Sequence, residues 1–159
     1  MIYYLYVKIH SSMTYKGRFT PKNPSKYKGD PTKVIYRSSW EARVMKYLDE
    51  NPNVLQWQSE EVIVPYVSPI DGKYHRYFPD FVIKIRDKYD NIAVKMIEIK
   101  PSSQSKPPQV KQKGQRTTRK YLQEVMTWGV NQAKWTAATE YCADRKWQFV
   151  VLTEKDLNL

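Results

Sequence analysis

Four residues stand out for what they could do together: Glu41, then Asp80 directly after Pro79, then Glu98 and Lys100 flanking Ile99. The last pair closes "VKMIEIKP", a run of β-favouring residues stopped by Pro101. Strand side chains alternate faces, so Val94, Met96, Glu98 and Lys100 share one side and Ala93, Lys95, Ile97 and Ile99 the other. Asp80 lies inside "YFPDFVIKI", the run before it. A hairpin centred on Tyr89 would set Asp80 opposite Glu98, whereas a two-residue Asp90-Asn91 turn would slide the acids apart. Facing carboxylates repel across a strand pair, and a divalent cation turns that repulsion into ligation. The chemistry this suits is metal-assisted phosphodiester hydrolysis. Asp80 and Glu98 are the expected ligands of Mg²⁺, with Mn²⁺ able to substitute, and the Ile99 carbonyl could add a third oxygen. Lys100 could orient the attacking water or offset charge on the phosphorane. Glu41 could complete the shell or help hold a second ion.

Each residue also has a plainer reading. Glu-Ile-Lys at a strand end can be a solvated pair, Pro-Asp a turn, and Glu41 the partner of Ser38 in a helix capping box. The joint occurrence in this order favours the site.

The elements that would position these residues follow from the pattern. "SSWEARVMKYLDENP" predicts a helix with Ser38 as N-cap, a stripe of Trp40, Val44, Tyr47 and Leu48, and a stop at Asn51-Pro52. Strands are expected around Glu61–Val67, Tyr74–Ile85 and Ile92–Lys100, joined by short turns as an antiparallel meander. After a proline-rich loop, a helical region from about Thr117 to Arg145 is expected to break near Gly129, with Asn131 capping its second half. Its apolar stripe is Tyr121, Leu122, Val125 and Met126, continued by Lys134, Ala137, Ala138, Tyr141 and Cys142. "WQFVVL" reads as a buried strand that could join the sheet in parallel, and "TEKDL" could begin a short last helix. The fold class is therefore α/β with a mixed sheet.

Composition narrows the partner. The 159 residues allow one domain with a sizeable core. Lys plus Arg number 27 against 16 acids, a net charge of +11, which favours a polyanion. Cys142 is the sole cysteine, so no internal disulfide can form. His10 and His75 are the only histidines, which argues against a His-rich zinc site or a His-dependent triad. No apolar run approaches the roughly 20 residues of a membrane span, and "MIYYLYVKI" lacks the features of a signal peptide.

The ordered Glu, Pro-Asp and Glu-x-Lys set resembles the PD-(D/E)xK nuclease superfamily. That resemblance implies a restriction-endonuclease-like core of helix, three-strand meander, helices and strand. The segments from "YRSSWEARVMKYLDENP" to "IEIKP" are similar to phage Holliday-junction endonucleases and to transposon endonuclease subunits. "PKNPSKYKGDP", "YRSSWE", "RYFPD", "IEIKP", "VNQAKWTAA" and "FVVLTE" together resemble the head-completion nucleases of T-even-type tailed phages. This implies a nuclease, endo or exo, acting on packaged DNA ends before head–tail joining. It would work with head or neck proteins, in the host cytoplasm during assembly or on the virion. By motif match, Asp80, Glu98 and Lys100 take the catalytic positions and Glu41 the helical acid; Asn131 and Lys134 match a shared segment. A structural head or neck protein without essential cleavage, and a resolvase or transposase-type endonuclease, are the alternatives.

The similarity starts at Met13, so residues 1–12 are either a misplaced start or an extra strand. Residues 13–37 read as a basic extended arm, with Lys16, Arg18, Lys22, Lys26, Lys28, Lys33 and Arg37 as a second DNA clamp, and 38–159 as the nuclease domain. The acid-free stretch after Lys100 carries Lys106, Lys111, Lys113, Arg116, Arg119 and Lys120 and is expected to contact DNA phosphates. With Arg37 and Lys134 these form the expected DNA-binding set.

Overall fold

The computed structural model describes residues 15–157; the readings made for residues 1–12 and for Met13 lie outside them. In chain order the elements are β1 (Gly17–Arg18), β2 (Ile35–Tyr36), α1 (Ser39–Glu50), β3 (Val54–Ser59), β4 (Val64–Val67), β5 (Tyr74–Tyr77), β6 (Phe81–Arg86), β7 (Ile92–Ile99), α2 (Arg119–Ala143) and β8 (Gln148–Leu152). The central sheet has the order β3-β6-β7-β8. Its first three strands are antiparallel neighbours, and β8 joins β7 in parallel through the α2 crossover. No helix among the described residues is long and apolar enough to cross a membrane.

The sheet separates two cores. On one face α1 lays Val44, Met45 and Leu48 against Val54, Trp57, Phe81, Ile83, Ile97 and Ile99. On the other, Ala138 and Cys142 of α2 meet Val82 and Met96, together with Val64, Tyr66 and Tyr77 of the β4–β5 hairpin. The alternation expected for β7 is thus observed: Met96 and Ile97 serve opposite cores.

Several expectations need correction. The meander is not built from Glu61–Val67. Its first strand is β3, and β4 and β5 form a separate two-stranded sheet inserted between β3 and β6. Strand β3 was hidden because "VLQWQS" mixes glutamines with apolar residues, and its pairing slips between Val54 and Gln56, which interrupts the alternation. The single strand expected from Tyr74 to Ile85 is two strands. Pro79 has no N–H to donate, and the chain leaves one sheet for the other there.

Helix α2 is not broken at Gly129. It runs unbroken from Arg119 to Ala143, with Thr118 rather than Asn131 at its N-cap, and Asn131 is buried within it. A 25-residue helix is about 37 Å long, more than the sheet beneath can cover. Leu122, Val125 and Met126, expected in the core, are therefore exposed.

Residues 15–37 are not an extended arm. β1 pairs with β2, Tyr27 and Val34 are buried, and Tyr27 packs edge-on against Trp57 at 4.7 Å. The chain beyond β8 forms turns at Thr153–Leu157 that bury Leu157, not a helix.

Candidate active site

The β6–β7 register decides how the acids lie. Phe81 pairs with Ile97 and Arg86 with Ile92, which is the hairpin centred on Tyr89. Continued by one residue, it sets Asp80 opposite Glu98. Asp80 is tied to the neighbouring strand directly: its Oδ2 accepts the Ile99 N–H at 2.6 Å. Lys100 N donates to the Leu152 carbonyl at 2.9 Å, so β8 fixes the last residue of the motif. Glu98 is 4% exposed. Its Oε1 meets Lys100 Nζ at 2.8 Å and its Oε2 accepts the Tyr77 hydroxyl at 2.7 Å.

The electrostatics follow from this crowding. Burial first, then the Glu98 charge, raises the Asp80 pKa above the ordinary aspartate value, and Glu41 adds to the effect. Burial opposes charge on Lys100, but Glu98, Asp80 and Glu41 outweigh it and hold the ammonium form above its usual range. Burial and then Glu98 push the Tyr77 hydroxyl far up, so it remains a donor.

Glu41 occupies the expected capping box. Its N–H donates to Ser38 Oγ at 3.1 Å, and its carboxylate accepts from Arg37 N at 2.8 Å and Ser38 Oγ at 3.1 Å. It feels Asp80 and Lys100 electrostatically while remaining bound to its own helix start. Among the described residues, no three acid, histidine or cysteine side chains are already grouped to hold a metal. The donor set that fits a hard cation is Asp80 with Glu98, to which Glu41 would be added by leaving its cap.

Lys134, expected on a DNA-contacting surface, belongs to this site. Its Nζ lies 5.5 Å from the Tyr77 ring centre and 5.6 Å from that of Tyr66. Burial and the nearby Lys100 lower its pKa. Arg37 is engaged by Glu60 at 2.9 Å. Lys106, Lys113, Arg116, Arg119 and Lys120 are exposed after the site, while Lys111 leans over the Tyr121 ring and donates to the Arg116 carbonyl. Arg119 and Lys120 occupy the first turn of α2, which holds no acid. A helix start disfavours cations, so helix stability does not account for their place there.

Two residues of the site escaped the sequence reading. Tyr77 was hidden because a single strand was expected from Tyr74 to Ile85, with no break after it. Glu60 directly follows β3, a strand not expected from the sequence; it has φ +52° and donates its N–H to the Asp80 carbonyl at 3.3 Å. Burial, with Glu41 and Glu98 near, raises its pKa against the pull of Arg37.

Residues 51–154 match the family model described as TnsA-like endonuclease N terminal. The matched span holds Asp80, Glu98 and Lys100 in one run. The chain belongs to this family. Its sheet, crossover and flanking helices are accordingly those of a restriction-endonuclease-like core. The chain is also similar to the head completion nuclease of Enterobacteria phage T4, with 41% identity over 147 residues, covering 91% of this chain and 95% of that protein. No solved structure matches it significantly.

Proposed function

We propose that this protein is a Mg²⁺-dependent DNA nuclease that acts in phage head completion, trimming or cutting packaged DNA ends before tails join. The observation that carries the reading is the convergence of Asp80 and Glu98 at the end of paired strands, with Lys100 hydrogen-bonded to Glu98. The T4 relative's name supports both the nuclease activity and the stage of assembly.

The residues fit a hard divalent ion: both carboxylates are recessed, and burial, then the Glu98 charge, raises the Asp80 pKa, a cost of ionisation that a cation would relieve. Asp80 and Glu98 would hold the ion, with the Ile99 carbonyl and Glu41 as further oxygens. Bound there, Mg²⁺ supplies Lewis acidity toward a non-bridging phosphate oxygen and lowers the pKa of water. Tyr77 fixes the second oxygen of Glu98. Lys100 offers N–H donors to the attacking water or to the charge growing on the phosphorane. Lys134 adds a second partly desolvated cation beside the same acids. Head or neck proteins are the expected partners, during assembly in the host cytoplasm or on the virion.

Supercoiled plasmid with Mg²⁺, with EDTA, and with Lys100→Ala tests the reading. Nicking should require Mg²⁺ and fall at least about 100-fold in the variant; cleavage that survives EDTA would defeat it. The family match equally suits cutting at branched or transposon-end DNA. A panel of linear, nicked and four-way DNA separates the two substrates.

A further inference from the structure

Directly after Lys100 the chain forms a short turn at Ser102–Gln104. Glu154 anchors it by accepting from both Ser102 N, at 2.8 Å, and Ser102 Oγ. Between this turn and α2 lies a groove of about 250 Å³, lined in part by Gln104, Lys106, Glu124, Thr127, Trp128 and Asn131. Asn131 is 6% exposed, yet its Nδ2 has no hydrogen-bond partner. A buried donor is costly to leave unmade; this one is closed off from solvent in the free protein, on a residue that lines the groove. Trp128 is half-buried, and Trp135 holds its ring edge-to-face at 5.9 Å and 89°. Lys106 stands exposed at the rim, at the head of the basic stretch.

We propose that this groove receives one unpaired nucleotide of the DNA held at the neighbouring site, so that the protein selects frayed or overhanging ends over blunt duplex. The proposal rests on the reading of the chain as a DNA enzyme and names the form of DNA it takes. An indole face stacks on any base. A turn of the Asn131 side chain on binding brings its amide, closed off in the free protein, to a carbonyl or ring nitrogen on the base edge, and Lys106 meets the adjoining phosphate. The groove, at about 250 Å³, lies below the range of about 300–1,000 Å³ common for ligand clefts, a size that suits a single base. Asn131 and Lys134 thus divide the work of one helix face, the first toward the base and the second toward the reacting acids.

The test uses the full chain in EDTA, so that hydrolysis does not interfere. Duplexes of one sequence are compared with blunt ends, with one-nucleotide 5′ or 3′ overhangs and with a mismatched end, each carrying 2-aminopurine at the terminal position. The expected result is quenching of the unpaired terminal base and at least tenfold tighter binding of one unpaired end than of the blunt duplex. Asn131→Asp and Trp128→Leu should each abolish the preference while blunt-end affinity stays within twofold. Trp128→Leu keeps the test valid if the buried Asn131→Asp protein does not fold. Equal affinity of the wild type for all ends, binding to none of them, or a preference that survives in Trp128→Leu overturns the proposal. Plasmid cleavage is scored separately: a protein that cuts plasmid but ignores unpaired ends refutes only the groove, and one that selects ends but never cuts refutes only the nuclease.

Discussion

Tyr77 donates its hydroxyl to Glu98 Oε2 at 2.7 Å, and both side chains are buried. With Lys100 on Oε1, both oxygens of Glu98 are oriented by protein alone. Such supports typically carry 10–100-fold in metal affinity. Tyr77→Phe keeps the ring in its core and removes only the bond. The Mg²⁺ concentration for half-maximal cleavage should rise about 10–100-fold, and stability should fall by about 1–3 kcal/mol because a buried carboxylate oxygen loses its donor. A Mg²⁺ titration of cleavage and a melting curve check both; an unchanged Mg²⁺ requirement would show that Tyr77 does not position Glu98.

Asp80 makes stability depend on pH in an unusual direction for an acid. Burial, then Glu98, raises its folded pKa above the ordinary value of 3.8. The protonated form is favoured by folding, so its contribution is complete below that value and is lost as pH rises through the raised one. The difference in Tm between Asp80→Asn and wild type, both metal-free, should therefore be small near pH 4 and grow toward neutral pH in favour of the variant. Each kcal/mol of relief corresponds to about 2–4 °C. Added Mg²⁺ should raise the wild-type Tm and leave Asp80→Asn nearly unmoved. A difference that shrinks with rising pH would show that burial and the Glu98 charge do not raise the Asp80 pKa in the folded protein.

The exposed cations after the site give a salt-dependence test. Lys113, Arg116 and Arg119 are exposed, and Lys111 is braced on Tyr121 at 4.8 Å. Each phosphate contact contributes a slope of about 0.9 in log affinity against log salt on duplex DNA. Replacing all four by Gln should lower the slope by roughly 3–4 without changing the Mg²⁺ requirement for cleavage. A slope equal to wild type would remove this stretch from the DNA interface.

The β6–β7 pairing and the Ser38–Glu41 capping box were more legible in the sequence than the rest of the scaffold. Asp80, Glu98 and Lys100 are separated by regular strand geometry, where the two-residue period and one hairpin centre suffice to place them. Glu41 declared itself through Ser38, because a capping box is local. What was lost depends on contacts distant in sequence. The slip at Val54/Gln56 erased the alternation of β3, and with it Glu60. Pro79 redirects the chain between sheets, which brings Tyr77 to Glu98, and no local pattern reports that. Gly129 looked like a helix break but lies against the β4–β5 connection, where an added Cβ would sit 3.9 Å from Pro69. Exposure of Leu122, Val125 and Met126 reflects a helix longer than its sheet, which periodicity cannot foresee.

Asp49 ties the basic N-terminal segment to α1. It is 1% exposed and ends α1, and its Oδ2 accepts Lys22 N at 2.8 Å while its Oδ1 accepts Asn23 N at 3.2 Å. Its carbonyl accepts Asn23 Nδ2 and Lys26 Nζ, and Lys26 reaches the Asn51 carbonyl as well. Lys22 and Lys33 are paired with Glu50 and Asp30. Four of the seven cations named for a second clamp, Lys22, Lys26, Lys33 and Arg37, therefore have partners within the protein, which favours a structural strap over a DNA clamp at those positions. Asp49→Ala should lower stability by about 2 kcal/mol, or roughly 4–8 °C, and open residues 15–37 to limited proteolysis. Assayed well below the melting temperature, it should leave the salt slope of DNA binding unchanged. A fall in that slope comparable to the loss of two or more phosphate contacts would restore the segment to the DNA interface, since only cations held against the duplex contribute to it.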